Sequence, residues 1–177
     1  PLPAPELVRL ARDLVAGLRQ GQSQAQVHGD LCPANVFVDA GGQARLSDFG
    51  LAPFARPGFP QQERELRRAL FVAPERLLGG EPGVAGDMYA LGAILYLAAT
   101  GAPPHSPESL GAWIRGAGRA PLEVRVANPA IPTAFSDLLR QLLAWKAEAR
   151  PPSWEAVAQR LEEMQAQVQR RSERGLG

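Results

Sequence analysis

Between Met88 and Ala99 the sequence reads MYALGAILYLAA, an apolar run that carries no charge on any face. A membrane span needs roughly 20 such residues, and no basic segment precedes the run in the manner of a secretion signal. The stretch therefore predicts a helix buried on all sides, around which the rest of the chain organises its amphipathic elements.

The composition leaves room for that arrangement. With 177 residues, 45% hydrophobic and 21% charged, the chain suits one globular domain. At this length a single core buries roughly 70% of the surface that the unfolded chain exposes, so neither disulfides nor a structural metal are required. The only thiol, Cys32, cannot form an internal bridge, and His28 and His105 lie too far apart for a zinc cluster. That thiol usage predicts an intracellular, cytoplasmic protein. Eighteen Arg and one Lys, Lys146, are nearly balanced by 18 acids, giving a net charge of +1. No excess field argues for a nucleic-acid groove. The chain opens on Pro1 rather than Met, which predicts a fragment, a processed product or a trimmed piece.

Elsewhere the periodicity is readable. Leu7, Leu10, Ala11, Leu14, Val15 and Leu18 share one face of a helix predicted over Glu6 to Arg19, with Arg9, Arg12 and Asp13 opposite. Val36–Val38 and Ala44–Leu46 flank the turn Ala40-Gly41-Gly42 and predict a small hairpin. Leu51 to Pro60 holds three prolines and a glycine and reads as a loop, with the charged patch Glu63 to Arg68 continuing it. The apolar helix starts at about Asp87. A Pro-rich turn (102 to 107), a short amphipathic piece at Leu110 to Ile114 and an irregular stretch through Pro132 follow. Thr133 or Ser136 is expected to cap a helix through Trp145, and Ser153 a last helix from Trp154 to about Arg170. Residues 171–177 form a polar, basic tail or linker.

The chemistry concentrates in His28-Gly29-Asp30-Leu31-Cys32-Pro33-Ala34-Asn35 and, across the hairpin, in Asp48-Phe49-Gly50. Two acids and a carboxamide converging through a hairpin suit a divalent ion and a phosphoryl group. One carboxylate accepts a hydroxyl proton, while an amide oxygen and the second carboxylate offer Mg²⁺ hard oxygen donors.

These residues resemble the protein-kinase family: HGDLCPAN stands where that family has its H-R-D-x-x-x-x-N catalytic loop, with DFG following in register. Val72-Ala73-Pro74-Glu75 is similar to the APE element that closes the activation segment, Asp87-Met88-Tyr89-Ala90-Leu91-Gly92 to the start of the central helix, and Arg150 to the Arg that pairs with the APE glutamate. ILYLAATGAPP and LLRQLLAWKAEARPP also resemble bacterial Ser/Thr kinase sequence. The resemblance implies a mainly α (α+β) fold, the large C-terminal lobe of a kinase, over residues 1–170, with the N-terminal small lobe absent. It implies that Asp30 is the catalytic base and that Asn35 and Asp48 hold Mg²⁺. His28 becomes a packed residue behind Phe49 of DFG. Asp87 would hydrogen-bond amides of the catalytic loop. Glu75 and Arg150 would form a buried bidentate ion pair, whose breakage costs roughly 3 to 5 kcal/mol.

Departures from the family pattern matter as much. The Gly-rich loop, the strand Lys and the helix Glu of the small lobe are missing, and Lys146 lies in the wrong region to substitute. Cys32 stands where Ser/Thr kinases usually carry a Lys; it reads as a small packed residue rather than a redox switch. Gly29 replaces the Arg that clamps a phosphorylated activation loop, and Leu51 to Val72 contains no Ser, Thr or Tyr. A phosphate-triggered switch thus has neither donor site nor receptor. The Gly-Thr that precedes APE is absent: Arg67, Arg68 and Ala69 occupy that neighbourhood, and the two arginines read as a solvated charged face.

Three readings follow. The first is a protein kinase lobe whose intact parent moves the ATP γ-phosphate to a protein Ser/Thr hydroxyl, with ATP and Mg²⁺ bound by the parent and neither bound tightly by this chain alone. The second is a pseudokinase scaffold. The third is a small-molecule phosphotransferase of the aminoglycoside type, which also carries an HGDxxxxN loop. The expected partners are the missing small lobe or a protein on the exposed cleft face, a protein substrate, no nucleic acid, and a second copy through the same exposed surface. The tail would suit a linker or a juxtamembrane segment, so the parent could be membrane-tethered.

Overall fold

The computed structural model describes residues 1–50, 63–115 and 121–173. The apolar run forms the centre of α4 (Val84–Thr100), where every residue from Asp87 to Tyr96 is buried. Gly92 permits this close packing: a Cβ there would lie 2.8 Å from Leu142 Cβ. The helix ends at Gly101, whose φ of 83° lets its N–H return to Leu97 O at 2.8 Å. Its first turns reach back to Val84, three residues before the expected start, because the β-extended Gly83 can serve as N-cap.

Around α4 lie α1 (Ala4–Ser23) and α7 (Thr133–Leu142), and α8 (Trp154–Glu173) packs along α1. Leu7, Val8, Ala11, Leu14, Val15, Leu18 and Gly21 are the buried face of α1, while Leu10 is only half-buried. The N-terminus is strapped to the central helix by Leu2 N–H donating to Ala98 O at 2.7 Å. Arg19 bridges to Glu155 of α8 at 3.3 Å.

The hairpin has the predicted strands, β1 (Val36–Val38) and β2 (Ala44–Leu46), antiparallel with Phe37 opposite Arg45. Its turn is held by Asp39 Oδ1, which accepts the N–H groups of Gly41 (2.9 Å) and Gln43 (3.0 Å), and Gly42 takes a φ of 78°. The Gln43 and Gly41 amides hold the Asp39 carboxyl below its ordinary range. Asp13 of α1 accepts Ala44 N–H at 2.9 Å and so fastens the hairpin to the helical body.

Several boundaries differ from the sequence reading. The charged patch is helical, α2 (Glu63–Ala69), while the proline-rich loop 51–60 lies outside the described residues. Short helices α3 (Pro74–Leu77), α5 (Pro107–Ile114) and α6 (Val124–Ala127) complete the order, the last inside a stretch expected to be irregular. Thr133 is already helical and Pro132 is the N-cap of α7, which stops at Leu142. Ser136 instead donates to Glu123 Oε1 at 3.2 Å. Ser153 does cap α8, its Oγ accepting Ala156 N–H at 3.2 Å, and that helix continues through the first residues assigned to the tail. Residues 174–177 of that tail lie outside the described residues. Among the described residues no helix is long and apolar enough to cross a membrane.

Candidate active site

The site grows from one buried residue. After α1 the chain reverses through Ala25, at φ 55°, with Gln24 and Gln26 N–H both donating to Gly21 O at 3.0 Å. This delivers His28 to the core, fully buried. Asp87, in the first turn of α4, accepts the N–H of His28 and of Gly29, each at 2.8 Å. Burial pushes the Asp87 carboxyl up, and the two amides oppose that push. Gly29 itself takes φ 74°, a conformation that penalises side chains, so the chain can turn sharply just before Asp30.

His28 also receives the other end of the hairpin. Its carbonyl accepts Gly50 N–H at 3.3 Å, and its ring lies 4.7 Å from that of Phe49. Neither ring nitrogen has a hydrogen-bond partner, so the ring serves as packing rather than as a proton relay. Phe49 in turn lies over Gly21, where an added Cβ would come within 2.5 Å of the ring.

Between these anchors the loop places its polar groups. Asn35 closes a 3-10 turn over Pro33–Asn35, its N–H donating to Cys32 O at 3.0 Å. Its Nδ2 donates to Asp30 O at 2.9 Å, which leaves the carboxamide oxygen as its remaining side-chain acceptor. Ser47 N–H donates to Asn35 O at 3.1 Å and Ser47 Oγ to Asp48 Oδ2 at 3.0 Å. Asp48 follows at φ 62°, exposed, on the same end of the hairpin as Asn35. A carboxamide oxygen and one carboxylate are too few to hold a metal alone, and no cluster of three His, Cys, Asp or Glu with metal-binding spacing occurs among the described residues. Two hard oxygen donors do fit Mg²⁺, which commonly completes its shell with water and substrate phosphate.

One neighbour escaped the sequence reading. Arg68 of α2, its side chain 42% exposed, also reaches into the loop: its Nη2 donates to Asp30 Oδ2 and lies 4.0 Å from Cys32 Sγ. Arg67 is the exposed member of the pair. The signal was available as two coincident departures, a cation missing at position 32 and one gained at position 68.

Farther along, Glu75 on α3 receives both guanidinium branches of Arg150, Nη1 to Oε1 at 2.6 Å and Nη2 to Oε2 at 2.8 Å. Arg150 also donates to the carbonyls of Ala85 (2.7 Å), Ala144 (3.0 Å) and Trp145 (3.3 Å). This clamp joins α3 to the helical body. An open groove of about 400 Å³ beside Phe49, between α1 and β2, includes neither Asp30, Asn35 nor Asp48.

Comparison with known proteins agrees with this geometry. Residues 2–161 match the family model described as protein kinase domain. The chain is 37% identical over 163 residues to the DNA damage-responsive serine/threonine-protein kinase RqkA of Deinococcus radiodurans, covering 84% of this chain and 24% of that protein. It is 31% identical over 174 residues to the tyrosine-protein kinase MasK of Myxococcus xanthus (91% and 26%). With the serine/threonine-protein kinase PknE of Mycobacterium tuberculosis the identity is 32% over 154 residues (85% and 27%). The chain thus spans about a quarter of the length of these curated relatives. A helical body, a small hairpin flanked by two acids and a carboxamide, and a match over nearly the whole chain lead to one conclusion: the chain belongs to the protein kinase domain family.

Proposed function

We propose that this chain is the large lobe of a serine/threonine protein kinase and carries the base and the metal-holding groups of phosphoryl transfer. The observation that carries the reading is the double anchoring of His28. Its N–H on Asp87 and its carbonyl on Gly50 tie the Asp30 loop and the Asp48 turn into one hydrogen-bonded frame. In that frame Asp30 accepts the proton of the substrate hydroxyl, and Asn35 and Asp48 hold Mg²⁺, which neutralises phosphate charge when bound.

The lobe assignment draws on three further features. The sequence holds no Gly-rich loop and no strand Lys, the described residues hold a two-stranded sheet alone, and the strand that follows Asn35 leaves Phe37 56% and Val38 63% exposed. That apolar edge suits the planar base of ATP from one side and a small lobe from the other, so the chain alone is silent and its cleft face is where a partner docks. A single buried thiol suits a reducing, cytoplasmic setting.

The experiment is phosphate transfer from radiolabelled Mg·ATP to a protein substrate by the full-length protein, by its Asp30→Ala variant and by residues 1–177 alone. Transfer by the first only is the expected result. A full-length protein that binds no ATP in the presence of Mg²⁺ overturns the reading and leaves the scaffold role that Cys32 and the absent Thr would suit.

A further inference from the structure

The carboxylates of Asp30 and Asp48 would meet a substrate that is itself anionic, and the loop His28–Asn35 contains no Lys or Arg to offset that repulsion. We propose that Arg68, delivered from α2, is the cation of the transfer site and acts directly on the phosphoryl group as it passes to the substrate hydroxyl beside Asp30. The inference rests on the kinase reading above and adds a catalytic residue to it.

Three observations carry it. First, the Arg68 guanidinium is placed at the reacting end of the site, with Nη2 on Asp30 Oδ2 and 4.0 Å from Cys32 Sγ. Cys32 is buried and short, and the guanidinium rather than a side chain at position 32 is the cation beside Asp30. Second, one donor of the guanidinium is unspent. Arg68 Nε is buried and has no hydrogen-bond partner, although it lies on the same edge of the group as Nη2. A buried donor left unmade is costly, and a guanidinium edge matches two oxygens side by side. One oxygen is Asp30's, and because the Arg68 side chain is 42% exposed the guanidinium stays within reach of a phosphoryl oxygen as the second. Third, Arg68 stands on fixed backbone. Phe71 N–H donates to Arg68 O at 3.0 Å, Leu70, Phe71 and Ala73 are buried, and Glu75 a few residues later is clamped by Arg150.

In the step this serves, the substrate hydroxyl oxygen forms a bond to the γ-phosphorus while the bond from that phosphorus to the β–γ bridging oxygen breaks. The electron pair leaves on ADP and the hydroxyl proton passes to Asp30. Negative charge spreads over the three equatorial oxygens meanwhile, and a pre-placed guanidinium stabilises it most there.

The test uses the full-length protein, Mg·ATP and dephosphorylated casein, with Arg68→Ala, the polar but uncharged Arg68→Gln, and each combined with Cys32→Lys. Both single variants should lower kcat about 100-fold. Cys32→Lys, which returns a cation to the same point from the loop, should recover most of that loss. Calorimetric binding gives a second readout: the preference for a non-hydrolysable ATP analogue over ADP should shrink in both single variants and return in the doubles. Unchanged or raised kcat in folded Arg68→Gln would make Arg68 a bystander or a lock on the base and overturn the proposal, as would doubles that recover neither rate nor preference. A wild type that binds ATP analogue yet transfers nothing, or binds none, defeats the kinase reading itself and is told apart by that control.

Discussion

Arg150 and Glu75 form an ion pair whose two halves should not cost the same to remove. The Arg150 side chain is fully buried, whereas that of Glu75 is 34% exposed. Glu75→Ala takes away two charge-assisted hydrogen bonds but leaves the guanidinium with three backbone carbonyls and the ring of Tyr89, 5.2 Å from its centre. That partial solvation limits the loss to about 3 kcal/mol, the low end for a broken buried pair. Arg150→Ala removes the donor to those carbonyls as well, at about 1 kcal/mol or somewhat less for each of the three, and the cation over Tyr89, so the loss should reach about 5 kcal/mol. The double variant should cost little more than Arg150→Ala, because Glu75 without its partner is solvated by water. The pairwise coupling is then about 2 to 3 kcal/mol. Urea unfolding followed by circular dichroism, with m-values unchanged, reads all three numbers, and melting should fall by roughly 10 °C or more for Arg150→Ala. Equal losses in the two single variants, or a double variant that is simply additive, would refute the argument that backbone carbonyls share the solvation of the guanidinium.

Three further outcomes follow from particular contacts. Asp87→Asn replaces one of two acceptor oxygens with a donor facing the His28 and Gly29 amides, so it should cost about 2 to 3 kcal/mol and selectively raise hydrogen exchange at those amides. Gly92→Ala puts a methyl 2.8 Å from Leu142 Cβ, a position that no side-chain rotation relieves, and should destabilise by about 1 to 3 kcal/mol in the same urea assay. Burial holds the pKa of His105 down to about 4, against an ordinary value of 6.5. The unfolded chain therefore binds the extra proton first as pH falls. Stability should drop from pH 6.5 towards 4 and His105 should add nothing further below that, a span of roughly 2 to 3 kcal/mol. His105→Gln should flatten that window; an unchanged slope would show that other groups set it.

How legible the molecule is in its sequence depends on where each feature's cause resides. The hairpin strands match residue for residue because their cause is local: β-branched and apolar residues on both sides of a Gly-containing turn that Asp39 closes. The core of α4 is legible for the same reason, since an uncharged apolar run admits one solution. Its start at Val84 is not, because Gly83 caps it by backbone conformation with no side-chain signal. The start of α7 is hidden likewise behind Pro132, where a hydroxyl-bearing cap was expected. Glu63–Ala69 lacks an apolar stripe and follows prolines, so nothing local announces a helix there; its causes are tertiary, Ala69 and the buried residues just beyond it meeting the core and Arg68 meeting Asp30.

The same distinction governs the site. Asp30, Asn35 and Asp48 are the residue types that phosphoryl chemistry asks for, and their types can be read directly. Their placement rests on backbone and buried contacts: the Asp87 carboxylate beneath the loop, the His28 backbone that joins loop to hairpin, and the positive φ of Gly29 and Asp48 at the two bends. Of these, only the part played by Asp87 was visible, and only through resemblance, because residues 28 and 87 are far apart in the chain and nothing in either neighbourhood names the other. Arg68 had no such help. It departs from the family pattern at the very place where it touches Asp30, and a pattern can report only that something is missing at position 32, not that the charge has arrived from position 68. A reading confined to motifs therefore counts two defects, where the fold brings Cys32 and Arg68 together beside one carboxylate.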